Sequence, residues 1–144
     1  MPRKHMKYEE FEPIEAALVS RSSLTELQLA VARAFIERRY YISKVGKSSK
    51  YRIKEGSKGV SKGTFFRVLG QAKANVKRVL YTMILLSFYE MIDERTIENI
   101  ITTGSLLKQV TQTGPPLTGQ KLREVLQSVE ESMSSEMDNI FVKQ

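Results

Sequence analysis

Apolar residues in this chain recur at two distinct periods, and the switches between them divide it into elements. Leu24, Leu27, Val31, Phe35 and Ile36 follow one another at three- and four-residue steps, the spacing that lines one face of an α-helix. Ser23-Leu24-Thr25-Glu26 stands at the head of that repeat and matches a capping box, a serine cap with a glutamate three residues later. A helix is therefore predicted over residues 24–39. Upstream, Pro13 suits the first turn of a short helix through Ile14, Ala17 and Leu18, broken at Arg21 and Ser22.

The period then shortens. Tyr41, Ile42 and Val45, followed by Tyr51 and Ile53, are β-compatible pieces on either side of Gly46-Lys47-Ser48-Ser49-Lys50. A small hairpin or an irregular basic loop is expected here, with a hidden second helix as the alternative. Helical spacing returns after Ser61, a candidate cap, in the stripe Phe65, Leu69, Ala72, Val76, Val79, Leu80 and Met83. From residue 81 to 89 the chain is apolar almost all round, which implies deep burial or a subunit interface. An unbroken helix over 62–92 would be roughly 46 Å long at about 1.5 Å per residue, and a break near 79–81 is the alternative.

Asp93 can cap a further helix through Ile97, Ile100 and Ile101 that ends near Gly104, with Leu106, Leu107 and Val110 packing after it. Thr111-Gln112-Thr113-Gly114-Pro115-Pro116 reads as a linker. The last helix is expected over 118–140, where Leu122, Val125, Val129, Met133 and Ile140 form a stripe suited to core packing or to self-association. The fold class is mostly α, with a possible small hairpin and long C-terminal helices. Its parts are a basic tail with a short helix (1–23), a central domain (24–112), and a linker with an amphipathic helix (113–144).

Charge changes this picture most. Residues 38–78 hold thirteen Lys or Arg and a single acid, Glu55. Residues 1–80 hold 18 basic residues against 7 acids (+11), while residues 81–144 hold 5 against 9 (−4). A phosphate-lined partner would attract one half and leave the other alone. Composition removes other classes. The 144 residues include no cysteine and one histidine, His5, so thiolate chemistry and a His-based metal site or triad within one chain are not expected. No apolar run approaches the roughly 18 residues of a membrane span. Glu9, Glu10, Glu12 and Glu15 stand where a signal peptide would be apolar, so a cytoplasmic protein is expected.

The candidate chemistry lies on the helix after Ser61. At about 100° per residue, Thr64, Arg67, Gln71, Asn75 and Arg78 fall within roughly 80° of one another, away from the Phe65/Leu69/Val76 stripe. Arg can fork onto guanine, and Gln or Asn onto adenine. Lys62, Lys73 and Lys77 flank that arc and can reach phosphates on either wall of a groove. A solvated helix face also favours Arg, Gln and Lys, but such faces mix signs, and no acid occurs from 62 to 89. Lys47, Lys50, Arg52, Lys54 and Lys58 extend the basic surface.

Two blocks carry a family resemblance. Leu24-Thr25-Glu26-Leu27-Gln28 and Gly59-Val60-Ser61-Lys62-Gly63-Thr64-Phe65-Phe66-Arg67-Val68-Leu69 resemble the pattern of helix-turn-helix domains similar to region 4 of bacterial sigma factors. The resemblance spans about 55 residues and implies a helix-turn-helix core whose recognition helix opens at the second block. It places Ser61, Lys62 and Thr64 on backbone or bases and sends Arg67 and Gln71 into the major groove. One departure is visible. Where that family has a short second helix, residues 40–58 are longer and basic, so helix two is either degenerate or replaced by a hairpin resembling the wing of winged-helix proteins.

Other motifs are weaker. Gly46-Lys47-Ser48 matches the end of a phosphate-binding loop, but Tyr41 occupies the leading glycine position. The adjacent carboxylates Asp93/Glu94 and Glu130/Glu131 are accounted for by capping and a solvated face. Neither catalysis nor a cofactor is expected. The sequence thus points to a nucleoid-associated homodimer that binds specific double-stranded DNA and regulates transcription in a prokaryote or its mobile element. The alternative is an RNA-binding or nucleoprotein-assembly subunit, including plasmid partition or DNA packaging, in which Tyr40, Tyr41, Tyr51, Phe65 and Phe66 stack on bases.

Overall fold

The computed structural model describes residues 11–38, 41–45, 48–52 and 59–141. It is mostly helical, with one small antiparallel sheet. The chain forms two compact units, Met1–Arg78 and Val79–Gln144, which meet inside a single helix and not at the 112/113 linker. That boundary coincides with the change in net charge, because residues 79 and 80 are uncharged: the first unit carries +11 and the second −4.

In the first unit, α1 (Pro13–Arg21) begins at the predicted proline, and the Glu15 carboxylate accepts the Glu12 N–H at 3.0 Å. Helix α2 (Glu26–Glu37) starts two residues later than expected. Ser22 Oγ accepts the Leu24 N–H (3.1 Å), which turns the chain before the helix and removes Ser23 from the cap. Thr25 takes its place. Its Oγ1 accepts the Gln28 N–H and its N–H donates to Gln28 Oε1, both at 3.1 Å, so the box closes two residues downstream of the predicted one. Arg33 then ties the two helices together through Glu15 at 3.2 Å.

Between α2 and the next helix the expected hairpin forms: β1 (Tyr41–Val45) pairs antiparallel with β2 (Ser48–Arg52), and β2 with the two-residue β3 (Val60–Ser61). The described residues are strands where the region 4-like pattern has its second helix. Lys47, Ile53, Lys54 and Lys58 lie outside the described residues. Tyr51 faces inward, its ring 5.0 Å from that of Phe65, which in turn meets Phe66 at 5.3 Å edge to face. Around them pack Phe11, Ala30, Val31, Ala34, Val60, Val68 and Leu69. The alanines keep the buried face of α2 shallow enough for a ring.

Helix α3 (Lys62–Phe88) is continuous through 79–81, so the alternative of a break there is not realised. Its apolar side is buried at Phe65, Val68, Leu69 and Ala72, but Val76, Val79 and Leu80 of the same stripe are exposed. Periodicity marks the apolar side of a helix but not how far its neighbours reach. The helix stops at Glu90, a non-glycine in the left-handed region (φ 58°). Met91 N–H donates to Leu86 O and Glu90 N–H to Ser87 O, the paired bonds of a Schellman ending.

In the second unit, Asp93 caps α4 (Glu94–Gln112) as expected, its Oδ1 accepting the Thr96 N–H at 3.2 Å. The helix does not end at Gly104. A mid-helix glycine costs about 1 kcal/mol, and Leu106, Leu107 and Val110 carry the apolar repeat past it. The linker shifts by two residues to 113–118, after which α5 runs Gly119–Phe141. Asn99 Nδ2 donates to Glu136 Oε1 (2.6 Å) between α4 and α5. Among the described residues of this unit only Thr96 and Leu117 are buried. No helix among the described residues is long and apolar enough to cross a membrane.

Candidate nucleic-acid interface

The start of α3 gathers residues that are distant in sequence. Ser61 is its cap: Oγ accepts the Thr64 N–H at 3.2 Å and donates to Thr64 Oγ1 at 3.0 Å. Because Ser61 also belongs to β3, it lies across from Lys50 of β2. The sheet therefore sets Lys50 opposite the residue that precedes exposed Lys62, the first residue of α3. A helix N-terminus and two lysines of the same sign concentrate positive potential at that corner.

Along the helix, burial of Phe65, Val68, Leu69 and Ala72 fixes which side faces out. Arg67, Gln71 and Arg78 are exposed on one flank, and Lys62, Lys73 and Lys77 on the other. Gly63, Gly70 and Ala74 run between the flanks. A Cβ built on Gly63 or Gly70 would meet nothing within 4 Å, so this chain's own packing does not demand glycine at either place. Lys73 Nζ stands 5.5 Å above the Phe35 ring, a cation–π contact that holds its charge near the end of α2. Among the described residues nothing hydrogen-bonds or ion-pairs with the side chains of Lys62, Arg67 or Gln71.

Asn75 departs from the sequence reading. It is half-buried, and its Nδ2 donates to Gln28 Oε1 (2.9 Å) and to the Ser23 carbonyl (3.2 Å). Both amide protons are thus committed to the N-terminus of α2. The residue borders the buried arc, where a polar side chain must find partners within the fold. We expect Asn75→Ala to lower stability by about 1–2 kcal/mol for the two bonds and to leave base preference unchanged. Urea unfolding measured beside binding selectivity checks both; altered selectivity with unaltered stability would return Asn75 to the reading face.

Of the other predicted contacts, Arg52 ends β2 opposite Tyr41, and Lys47, Lys54 and Lys58 lie outside the described residues. The aromatics needed by a base-stacking surface divide: Phe65 and Tyr51 are in the core, and Phe66 is 42% exposed. Two features escaped the sequence reading, the Lys73–Phe35 contact and the glycine track; the second was visible on a helical wheel, and the first needed α2 and α3 in register. Among the described residues no three His, Asp or Glu side chains lie together as a metal site requires. Comparison with family models, with characterised proteins and with solved structures finds no match.

Proposed function

We propose that this protein binds double-stranded DNA sequence-specifically as a homodimer, laying the outer face of α3 in the major groove, and that it regulates transcription in a prokaryote or its mobile element. The observation that carries this reading is the acid-free face over residues 62–78, flanked by cations on both sides and joined at its start by Lys50. Seventeen residues make about 25 Å of helix at about 1.5 Å each, and a major groove about 12 Å wide admits one helix. Arg67 and Gln71 address base edges. Lys50, Lys62, Lys73, Lys77 and Arg78 neutralise phosphates. The glycine track lets the backbone approach the groove floor. In this account the protein is a nucleoid-associated binder and not an enzyme.

An RNA-binding role keeps one observation in its favour, exposed Phe66 beside the lysine flank, but it loses two stacking rings to the core. Fluorescence anisotropy against random duplex DNA, single-stranded DNA and duplex RNA at several salt concentrations separates the two. Duplex DNA should bind tightest, with a log–log salt slope of about −9 for a dimer that makes about ten phosphate contacts, five from each protomer. A preference for RNA or single strands contradicts the proposal.

A further inference from the structure

The second unit lacks the core that a unit of its size needs. Among the described residues, twelve apolar side chains are buried in the first unit and only Leu117 in the second. The C-terminal part of α3 is apolar almost all round yet exposed to solvent: Leu80, Ile84 and Phe88 form one row and Tyr81, Leu85 and Tyr89 the next, with Ile84 62% and Phe88 75% exposed. Beside them, Met83, Ile84 and Ile97, together with the charged Asp93, Glu94 and Arg95, line an open groove of about 740 Å³. Isolated helices are marginal in water, and a domain of about 60 residues persists only by burying most of its apolar surface. Whatever covers this face must be present whenever the unit is folded.

We propose that the cover is a second copy of the same chain: the 79–88 part of α3, together with α4, packs against its counterparts, and this unit folds as it dimerises. It rests on the homodimer part of the function proposed above, not on its DNA contact. Area supports it. Ten large hydrophobics of the 79–88 segment and α4 are exposed; at about 100 Å² each they offer roughly 1,000 Å², against about 800 Å² per partner in a stable interface. Charge narrows the occupant. Residues 79–89 carry no charge and the unit carries −4, so neither a polyanion nor an anionic lipid surface is attracted. A two-fold contact needs no opposite charge, since one apolar face meets its own copy. Dimerisation would also couple two +11 units, making DNA affinity depend on protein concentration.

The test is sedimentation equilibrium of the full chain without DNA, paired with far-UV circular dichroism over a dilution series. The mass should be twice 16.5 kDa at micromolar concentration, and helicity should fall on dilution in step with mass. Ile84→Glu with Leu85→Glu should weaken association about 100-fold or more by burying charge, whereas Ile84→Leu with Leu85→Met should leave the dimer intact. A fully helical monomer overturns the proposal, as does a dimer indifferent to the glutamates. A monomer whose helicity rises only with lipid vesicles or with a different protein also overturns it, by naming another occupant. Because no DNA is present, failure of the DNA reading cannot produce any of these results.

Discussion

Phe65→Ala should cost about 3–5 kcal/mol of folding free energy, the usual range for emptying a buried aromatic site. Phe65 has no exposed surface and lies between Tyr51 of β2 and the rest of the core. Alanine would leave a cavity beneath the first turn of α3, where the sheet and the helix are joined through Ser61. The loss is a large share of the about 5–15 kcal/mol by which a domain is stable. Duplex binding should fall with it, since the positions of Lys50, Ser61 and Lys62 depend on that junction. Urea unfolding followed by circular dichroism reads the effect. A cost below about 1 kcal/mol, like that of a surface truncation, would mean that Phe65 is not the centre of a packed core.

Arg67→Ala makes the opposite separation, a binding loss without a folding loss. Arg67 is exposed and has no partner within the described fold, so stability should stay within about 0.5 kcal/mol of the parent. On a duplex selected in vitro for tight binding, affinity should drop by about 1–3 kcal/mol, the discrimination of one forked arginine–guanine contact. On random duplex it should barely change. Lys62→Ala should instead weaken both duplexes alike and reduce the magnitude of the dimer's salt slope by about 2, one contact from each protomer. If Arg67→Ala weakens selected and random duplex equally, Arg67 is only another phosphate contact and the base-reading role fails.

What could be read from the sequence was local. Pro13 opens α1 because its fixed φ suits a first helical position, and Ser61 and Asp93 start α3 and α4 because a cap acts within three residues of itself. Even so, two overlapping cap patterns at 23–28 were not separable without the Ser22 turn that selects Thr25. The hairpin was readable as short β-compatible runs, though only as one of three alternatives. Gly104 misled because a glycine's cost is small beside an apolar repeat that continues past it. The charge boundary was legible to within two residues of the boundary between the units.

What could not be read was long-range. Asn75 reaches partners 47 and 52 residues away, and no wheel drawn on α3 alone distinguishes an amide that reads bases from one that ties down a neighbouring helix. Val76, Val79 and Leu80 share the stripe of Phe65 and Leu69 but lie beyond the elements that cover it. Pattern shows which side of a helix is apolar, and packing decides how much of it is covered. Lys50 illustrates the reverse gain. It is eleven residues from Ser61 in sequence, and the β2–β3 register makes them neighbours.

The most direct test of the central claim is an amide chemical-shift map of the isotopically labelled full chain titrated with a short duplex. If α3 is the DNA-binding element, the perturbed amides will cluster over residues 62–78 with Lys50 and Ser61, and those of the second unit will stay near their free positions. Shifts concentrated in 91–141, or none at saturating duplex, would contradict the account and leave the basic half of the chain to another partner.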